Sequence, residues 1–317
     1  MQYSLLNRFR GALLGSFVGK TLASGGGKEQ FINESRFTLT HSRETQHSPT
    51  LSDWNEIALC GTQSLIHCGK LDLDDWRRYC EMTQPSFLLL QSTASSSEAT
   101  VATLPVALFF HEDEAKLRQQ LLQAATVWLH DSQPAEEVLV IAFAIALALT
   151  EKLNPAMLIP RIINYLNPSP TPLVQQLELV QTLLEKGVGL DTTLTQLRRH
   201  AQKSQGELKR SYLSICLALY CFLYTPEDFR LCVTRAIRTG YQPQLTATLT
   251  GALAGVHNSI VGIPVNWQLA SQRIPMGVQW RQLADRLFAV WSGIYDVSVA
   301  EQFSSVAIAA PRVIQPR

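Results

Sequence analysis

Hydrophobic residues recur along most of the chain at the three- and four-residue spacing of amphipathic helices. The first segment places Leu5, Phe9, Ala12 and Leu13 on one helix face, and similar sets follow within residues 59–66, 117–125 and 213–222. Residues at i, i+3 and i+4 share one face of an α-helix. No segment alternates convincingly between apolar and polar residues, as a half-buried strand would. The pattern therefore predicts an all-α protein.

Three stretches interrupt the helical pattern. Residues 21–50 and 92–100 are rich in small and polar residues and predict loops, the second leading to a helix cap. Prolines between Pro160 and Pro172 predict a turn-rich joint between two helical halves. The apolar run Val101–Phe110 contains Pro105, which could open a helix or occupy a turn, and we favour a helix. None of the interruptions resembles a flexible linker, so we predict a single domain over residues 1–317.

Two of the predicted helices carry a ridge of small residues, one at every fourth position. Residues four apart share one helix face. A glycine inside a helix costs about 1 kcal/mol relative to alanine, so the ridges require a structural reason. We predict that two helix backbones cross closely here, with helix ends near one cleft; a membrane dimer motif would need longer apolar segments. The ridge residues are Gly11, Gly15 and Gly19 on the first helix and Ala247, Gly251 and Gly255 on the second.

The charge balance argues against a nucleic-acid or anionic-membrane partner. The chain has 27 basic and 26 acidic residues, so no overall basic excess is available to neutralise phosphates. The six cysteines form no C-x-x-C pair and mostly lie in apolar helical stretches, which is typical of buried free thiols in a reducing compartment. No apolar segment follows a basic N-terminus, and Val138–Leu149 is shorter than a membrane span. We expect a soluble cytoplasmic protein.

Four segments carry a family resemblance, of which the first and the last are the most specific. Residues 8–19, RFRGALLGSFVG, resemble the opening helix of the ADP-ribosylglycohydrolase family, which includes the dinitrogenase reductase-activating glycohydrolases. Residues 219–255 are similar to the C-terminal signature of that family. Between them, Leu129-His130 with Pro134 is similar to its Thr-His-x-x-Pro segment, and Ser52-Asp53 to its Thr-Asp-Asp-Thr helix start. Residues 155–210 match weakly.

The resemblance implies an orthogonal all-α bundle whose cleft holds two magnesium ions. It also implies hydrolysis of an ADP-ribosyl bond to a protein side chain or a small acceptor. The family's metal ligands come from the Thr-Asp-Asp segment and from an Asp-x-Asp-Thr segment before the last glycine-rich helix. A Gly-Asn-Gly substrate loop lies between these two segments.

Most of the implied metal ligands are replaced in this chain. At the first segment only one aspartate is kept, and Asn55 follows where a second threonine is expected. At the second segment, Gln242 and Gln244 replace the two aspartates and Leu245 replaces the threonine. In the first helix, Lys20 follows Gly19 at a position where the family usually has an acidic residue. The former ligand positions are Ser52, Asp53, Trp54, Gln242, Gln244 and Leu245.

These replacements predict that no magnesium and no other cofactor is bound. Magnesium prefers carboxylate oxygens in octahedral geometry. A carboxylate about 4 Å from a divalent cation gains roughly 8 kcal/mol at an effective dielectric constant of about 20, before desolvation. An amide oxygen has no net charge with which to offset that loss.

A few other residues are candidates for the site. The resemblance places Ser96, Ser97 and Glu98 at the substrate loop. His130 and Trp54 are further candidates for substrate binding, Trp54 as a residue that closes the pocket or stacks on a base. We consider Asp53 and Glu98 as catalytic candidates. Each has a structural alternative as well: Glu98 as a residue that stabilises a helix start, and His130 as a hydrogen-bonded residue at a helix end. The acidic segment Asp72–Asp75 could hold a cation, but it is typical of a helix start.

The sequence is consistent with two main functional hypotheses. The first is a binding or regulatory module that accepts an ADP-ribose-like ligand or a protein partner without hydrolysis. The alternative is a divergent hydrolase of O- or N-linked ADP-ribose that uses Asp53, Glu98 and Asn55 with few or no metal ions. A purely structural helical protein is a third possibility, against which a polar cleft beside residues 53, 98 and 242 would argue.

Overall fold

The computed structural model describes residues 3–24, 51–83, 96–127, 136–166, 171–203 and 212–293, and all regular structure within these ranges is helical. This confirms the predicted all-α class. The first half contains α1 (Leu5–Ala23), α2 (Leu51–Cys68), α3 (Leu73–Thr83), α4 (Ser96–Ala102), α5 (Leu104–Phe109), α6 (Glu114–Ala125) and α7 (Glu136–Leu149).

The second half begins with a single 3-10 turn, Pro155–Met157. It continues with α8 (Leu158–Leu166), α9 (Pro172–Glu185), α10 (Leu190–Lys203), α11 (Tyr212–Tyr224), α12 (Phe229–Arg238), α13 (Pro243–Gly262), α14 (Val265–Gln272) and α15 (Pro275–Ser292). None of the helices in the described ranges is long and apolar enough to cross a bilayer. The single-domain organisation stays a prediction.

Several helix boundaries differ from those predicted. The first predicted loop, residues 21–50, begins too early, because α1 continues to Ala23. The second, residues 92–100, ends too late, because α4 begins at Ser96. Pro160 lies inside α8 rather than in the joint, since the first turn of a helix needs no backbone donor from proline. Pro105 likewise occupies the first turn of α5, so the ambiguous apolar run is helical. The rest of the first predicted loop, residues 25–50, lies outside the described residues.

The close crossing predicted from the small-residue ridges is present between α1 and α13. The two helices run antiparallel, so that Gly11 faces Gly255 and Gly15 faces Gly251. A Cβ atom added at Gly11, Gly15 or Gly19 would lie under 3.0 Å from a backbone oxygen of α13. Real Cβ atoms essentially never approach another atom so closely. Only glycine permits this spacing, which makes the pair the centre of the fold.

The remaining helices pack around this pair. Helix α7 is buried from Glu137 to Leu149, in keeping with its continuous apolar sequence. Its end is held by Arg8 of α1, whose Nη1 donates to Ala148 O at 2.9 Å and whose Nη2 lies 3.4 Å from Glu151 Oε1. Arg8 and Glu151 help to line a cavity of about 150 Å³ there.

The cysteines agree with the prediction of free thiols. All six are unpaired in the structure, and five are buried; Cys68 is half-buried.

Candidate functional site

The α1–α13 crossing brings the end of α1 beside the beginning of α13. Gly19 faces Ala247, so Lys20 follows directly beside the first turn of α13 and is itself buried. Helix α13 opens at Pro243 with Gln242 as its N-cap residue. The chain therefore passes directly from a turn into a helix start at residues 242–244.

Gln242 has an unusual backbone conformation and an occupied amide oxygen. Its φ of 38° and ψ of 59° lie in the left-handed region, which is uncommon for a residue with a side chain. Its Oε1 accepts a hydrogen bond from the Ser214 hydroxyl in the first turn of α11. The oxygen that would have to bind a metal is therefore already paired with a donor.

The other late ligand positions offer little to a cation. The Leu245 side chain is 3% exposed and belongs to the hydrophobic core. Gln244 is half-buried and carries no charge. In the first segment, Trp54 is 0% exposed and also belongs to the core, so a ligand could reach its indole only if neighbouring side chains moved. Among the described side chains at the former ligand positions there is no carboxylate.

A buried carboxylate lies nearby on another helix. Glu137, in the first turn of α7, is 1% exposed and accepts a hydrogen bond from Ser97 Oγ at 2.6 Å. Ser97 is also 1% exposed, in the first turn of α4. Burial, together with the charges of Glu137 and Glu136, raises the pKa of Tyr212, the first residue of α11, to about 12. Glu137 is thus close to the start of α11 as well.

Glu137 is not among the site residues that the sequence predicts. Glu136 and Glu137 together are typical of an acidic helix start, and only the packing shows that the second one is buried. The available signal was its place directly after the segment that contains His130 and Pro134. An acidic residue that opens a wholly apolar helix must either face solvent or lie against polar neighbours.

Three long helices start at this place. The Ser214–Gln242 hydrogen bond joins the beginnings of α11 and α13, and the charge of Glu137, in the first turn of α7, acts on Tyr212 at the start of α11. Helices α7, α11 and α13 have 14, 13 and 20 residues. A helix N-terminus presents unpaired N–H groups and a partial positive charge of about +0.5. Converging N-termini favour an anionic group such as a phosphate.

The predicted site residues are only partly assembled in the described structure. Ser97 lies in the site, and Glu98 is half-buried in the same turn of α4. Helix α2, which carries Trp54 and the buried Asn55, packs against α4. Ser52, Asp53 and Ser96 lie in described helices, but their side chains are not described, and His130 lies outside the described residues.

Comparison with known proteins identifies the family. The sequence model described as ADP-ribosylglycohydrolase matches residues 1–296. The chain belongs to the ADP-ribosylglycohydrolase family. A solved structure described as an "ADP-ribosylglycohydrolase-related protein complex" superposes with a TM-score of 0.63 and 19% sequence identity, and the match covers 90% of this chain and 99% of that one. At that identity the likeness supports the fold alone. No curated protein matches the chain.

The described side chains do not fit the pair of magnesium ions that this family implies. At the start of α13, the Gln242 amide oxygen is already hydrogen-bonded, Gln244 is a half-buried neutral amide, and Leu245 is a buried apolar residue. Magnesium sites in proteins are usually built on carboxylates.

Proposed function

We propose that this ADP-ribosylglycohydrolase-family protein binds an ADP-ribose-like ligand in the cleft without magnesium-dependent hydrolysis. The observation that carries the proposal is the pair Gln242 and Gln244 at the start of α13. The family resemblance places two magnesium-binding aspartates at these positions, and the Gln242 amide oxygen is paired with Ser214.

Simple electrostatics supports the loss of metal binding. Each carboxylate about 4 Å from a divalent ion contributes roughly 8 kcal/mol at an effective dielectric constant of about 20, before desolvation. Two such contributions are missing at Gln242 and Gln244, and Trp54 takes the place of a third. Without metal, the leaving ribose is not polarised and no bound water is activated.

The helix N-termini and Lys20 support binding of the diphosphate part of such a ligand, and they outnumber the one buried carboxylate that the structure describes at the same place, Glu137. The N-termini of α7, α11 and α13 attract an anion whether or not a metal is present. Lys20, buried beside the first turn of α13, adds a cationic residue to this end of the crossing. A protein partner that presents a phosphate or carboxylate would satisfy the same groups.

One observation favours the alternative of a divergent hydrolase. Glu137 places a carboxylate inside the site, and Ser97 Oγ orients it through a 2.6 Å hydrogen bond. A buried carboxylate can act as a general base if it reaches a substrate hydroxyl or a water. Binding without hydrolysis and hydrolysis through Glu137 must therefore be distinguished by experiment.

The decisive experiment restores the missing charge. Isothermal titration should show that the wild-type protein binds ADP-ribose with an affinity that does not change when magnesium is added. The double variant Gln242→Asp with Gln244→Asp should gain magnesium-dependent binding. As a control, Gln272→Asp with Gln279→Asp adds the same charge at two exposed positions and should gain none.

Hydrolysis is measured in parallel on proteins that carry N- or O-linked ADP-ribose. The wild-type protein should release no ADP-ribose. Magnesium-dependent release that is lost in Asp53→Ala would overturn the proposal. Release without metal that is lost in Glu137→Gln, and kept in Asp53→Ala, would establish the divergent hydrolase instead.

A further inference from the structure

A second cluster of polar side chains lies at the junction of α2 and α3, away from the cleft. Helix α2 ends with His67 and Cys68, and the chain then reverses through Gly69, which has a φ of 63°. Asp72 Oδ1 accepts a hydrogen bond from Asp75 N at 3.0 Å, which starts α3 and directs Asp75 back towards the end of α2. The turn thus brings an imidazole, a thiol and a carboxylate together.

The three ligand atoms have the separation that a tetrahedral metal site requires. His67 Nδ1 lies 3.5 Å from Asp75 Oδ1 and 3.7 Å from Cys68 Sγ, and all three atoms lie within 4.8 Å of one another. Zinc binds nitrogen and oxygen at about 2.0–2.2 Å and sulfur at about 2.3 Å, so that ligand atoms at tetrahedral angles are about 3.4–3.6 Å apart. The two separations from His67 Nδ1 are close to these values, and metal binding would draw Cys68 Sγ and the Asp75 carboxylate, which lie within 4.8 Å of each other, to the same distance.

Asp75 provides an independent indication that a cation belongs here. Its side chain is only 7% exposed, and its Oδ2 makes no hydrogen bond of ordinary geometry with a residue that the structure describes, although the Ser64 hydroxyl and the Cys68 thiol lie beside the carboxylate. A buried carboxylate oxygen without a donor is unfavourable. Its Oδ1 has Arg78 Nη1 at 3.3 Å, but Arg78 is 67% exposed and can turn away into solvent.

The chemistry of the three ligands selects a zinc-like ion. Thiolate, imidazole and carboxylate together suit zinc, whereas magnesium prefers oxygen ligands alone. His67 is 54% exposed, which leaves a fourth position open to water. His67 also lies about four helical turns beyond Asp53 on α2, about 21 Å along the axis, so the cluster is separate from the family cleft.

We propose that His67, Cys68 and Asp75 form a zinc site with water as the fourth ligand, which fastens the end of α2 to the start of α3. The ion replaces Arg78 as the partner of the Asp75 carboxylate, and its positive charge stabilises Oδ2. The Cys68 thiol gives up its proton to solvent on binding, because the thiolate is the form that ligates.

Cobalt titration of the full chain tests the proposal, since cobalt(II) occupies zinc sites and reports thiolate ligation by a charge-transfer absorption. After treatment with a chelator, the wild-type protein should bind one cobalt ion with this absorption, and zinc should displace it. Cys68→Ser should abolish the absorption. His67→Gln and Asp75→Asn should each weaken zinc binding at least about tenfold, as measured by competition with a chromophoric chelator.

Two variants serve as controls. Asp74→Asn removes a carboxylate from the neighbouring exposed position and should leave the zinc affinity unchanged; Asp74 pairs instead with Arg77. Arg78→Gln removes the competing cation and should not lower the affinity. The proposal is overturned if the wild-type protein shows no thiolate absorption or if Cys68→Ser retains it. An equal loss in Asp74→Asn and Asp75→Asn would also overturn it. His67 is a surface residue, so His67→Gln tests the site without endangering the fold.

Discussion

The closeness of the α1–α13 crossing predicts a measurable cost for one added methyl group in Gly255→Ala. A Cβ atom at Gly255 would lie 2.6 Å from the carbonyl carbon of Gly11 and closer still to its oxygen. This falls about 0.8 Å short of the 3.4 Å at which ordinary van der Waals contact begins. Both obstructing atoms belong to backbone, so no side chain can rotate to make room, and the helices must separate.

The expected net destabilisation is about 2 kcal/mol. Adding a methyl group to a packed core costs typically 1–3 kcal/mol, and a rigid backbone neighbour justifies the upper end of about 3 kcal/mol. Replacing a helical glycine by alanine returns about 1 kcal/mol through helix propensity. The difference corresponds to a fall in Tm of about 4 °C for a protein of this size.

Urea unfolding followed by circular dichroism measures this difference. A control for the added methyl group is Gly189→Ala, because a Cβ atom at Gly189 would meet nothing within 4 Å; Gly189 directly precedes α10 and is not inside a helix. Its free energy of unfolding should stay within about 0.5 kcal/mol of the wild-type value. If Gly255→Ala were instead stabilised by about 1 kcal/mol, as at an exposed helix glycine, the inference of a close crossing would be refuted.

Three further predictions follow from single contacts. Ser97→Ala should destabilise the protein by about 1.5–3 kcal/mol in urea unfolding, because the buried Glu137 carboxylate loses a donor, and the double variant with Glu137→Gln should cost less than the sum of the two. Arg8→Met should cost a similar amount, since Ala148 O loses its charged donor; an unchanged midpoint would contradict this. Burial raises the pKa of Tyr165 to about 12, whereas the unfolded value is about 10, so its contribution to stability is full below pH 10 and disappears as the pH rises through 12. The decline in Tm over that range should be shallower in Tyr165→Phe.

The close helix crossing could be predicted from the sequence, but the full composition of the site could not. Glycines at every fourth position of a helix are costly, and the close approach of a second helix backbone explains why they are present. Glu137 gives no comparable signal, since an acidic residue at a helix start is common on the surface. Residues 96–100 were predicted as loop because serine favours caps and turns locally, and packing of α4 against α2 and α7 outweighed that preference.

The helical class, the family and the neutral residues at the start of α13 can all be read from the linear sequence. These properties depend on the local spacing and chemical type of the residues, which can be read along the chain. The tertiary structure decided which polar groups are buried together, such as Ser97 with Glu137 and His67 with Asp75. Residues distant in sequence, or separated by a turn, come within bonding distance only when helices pack, and burial then sets the strength of their charges.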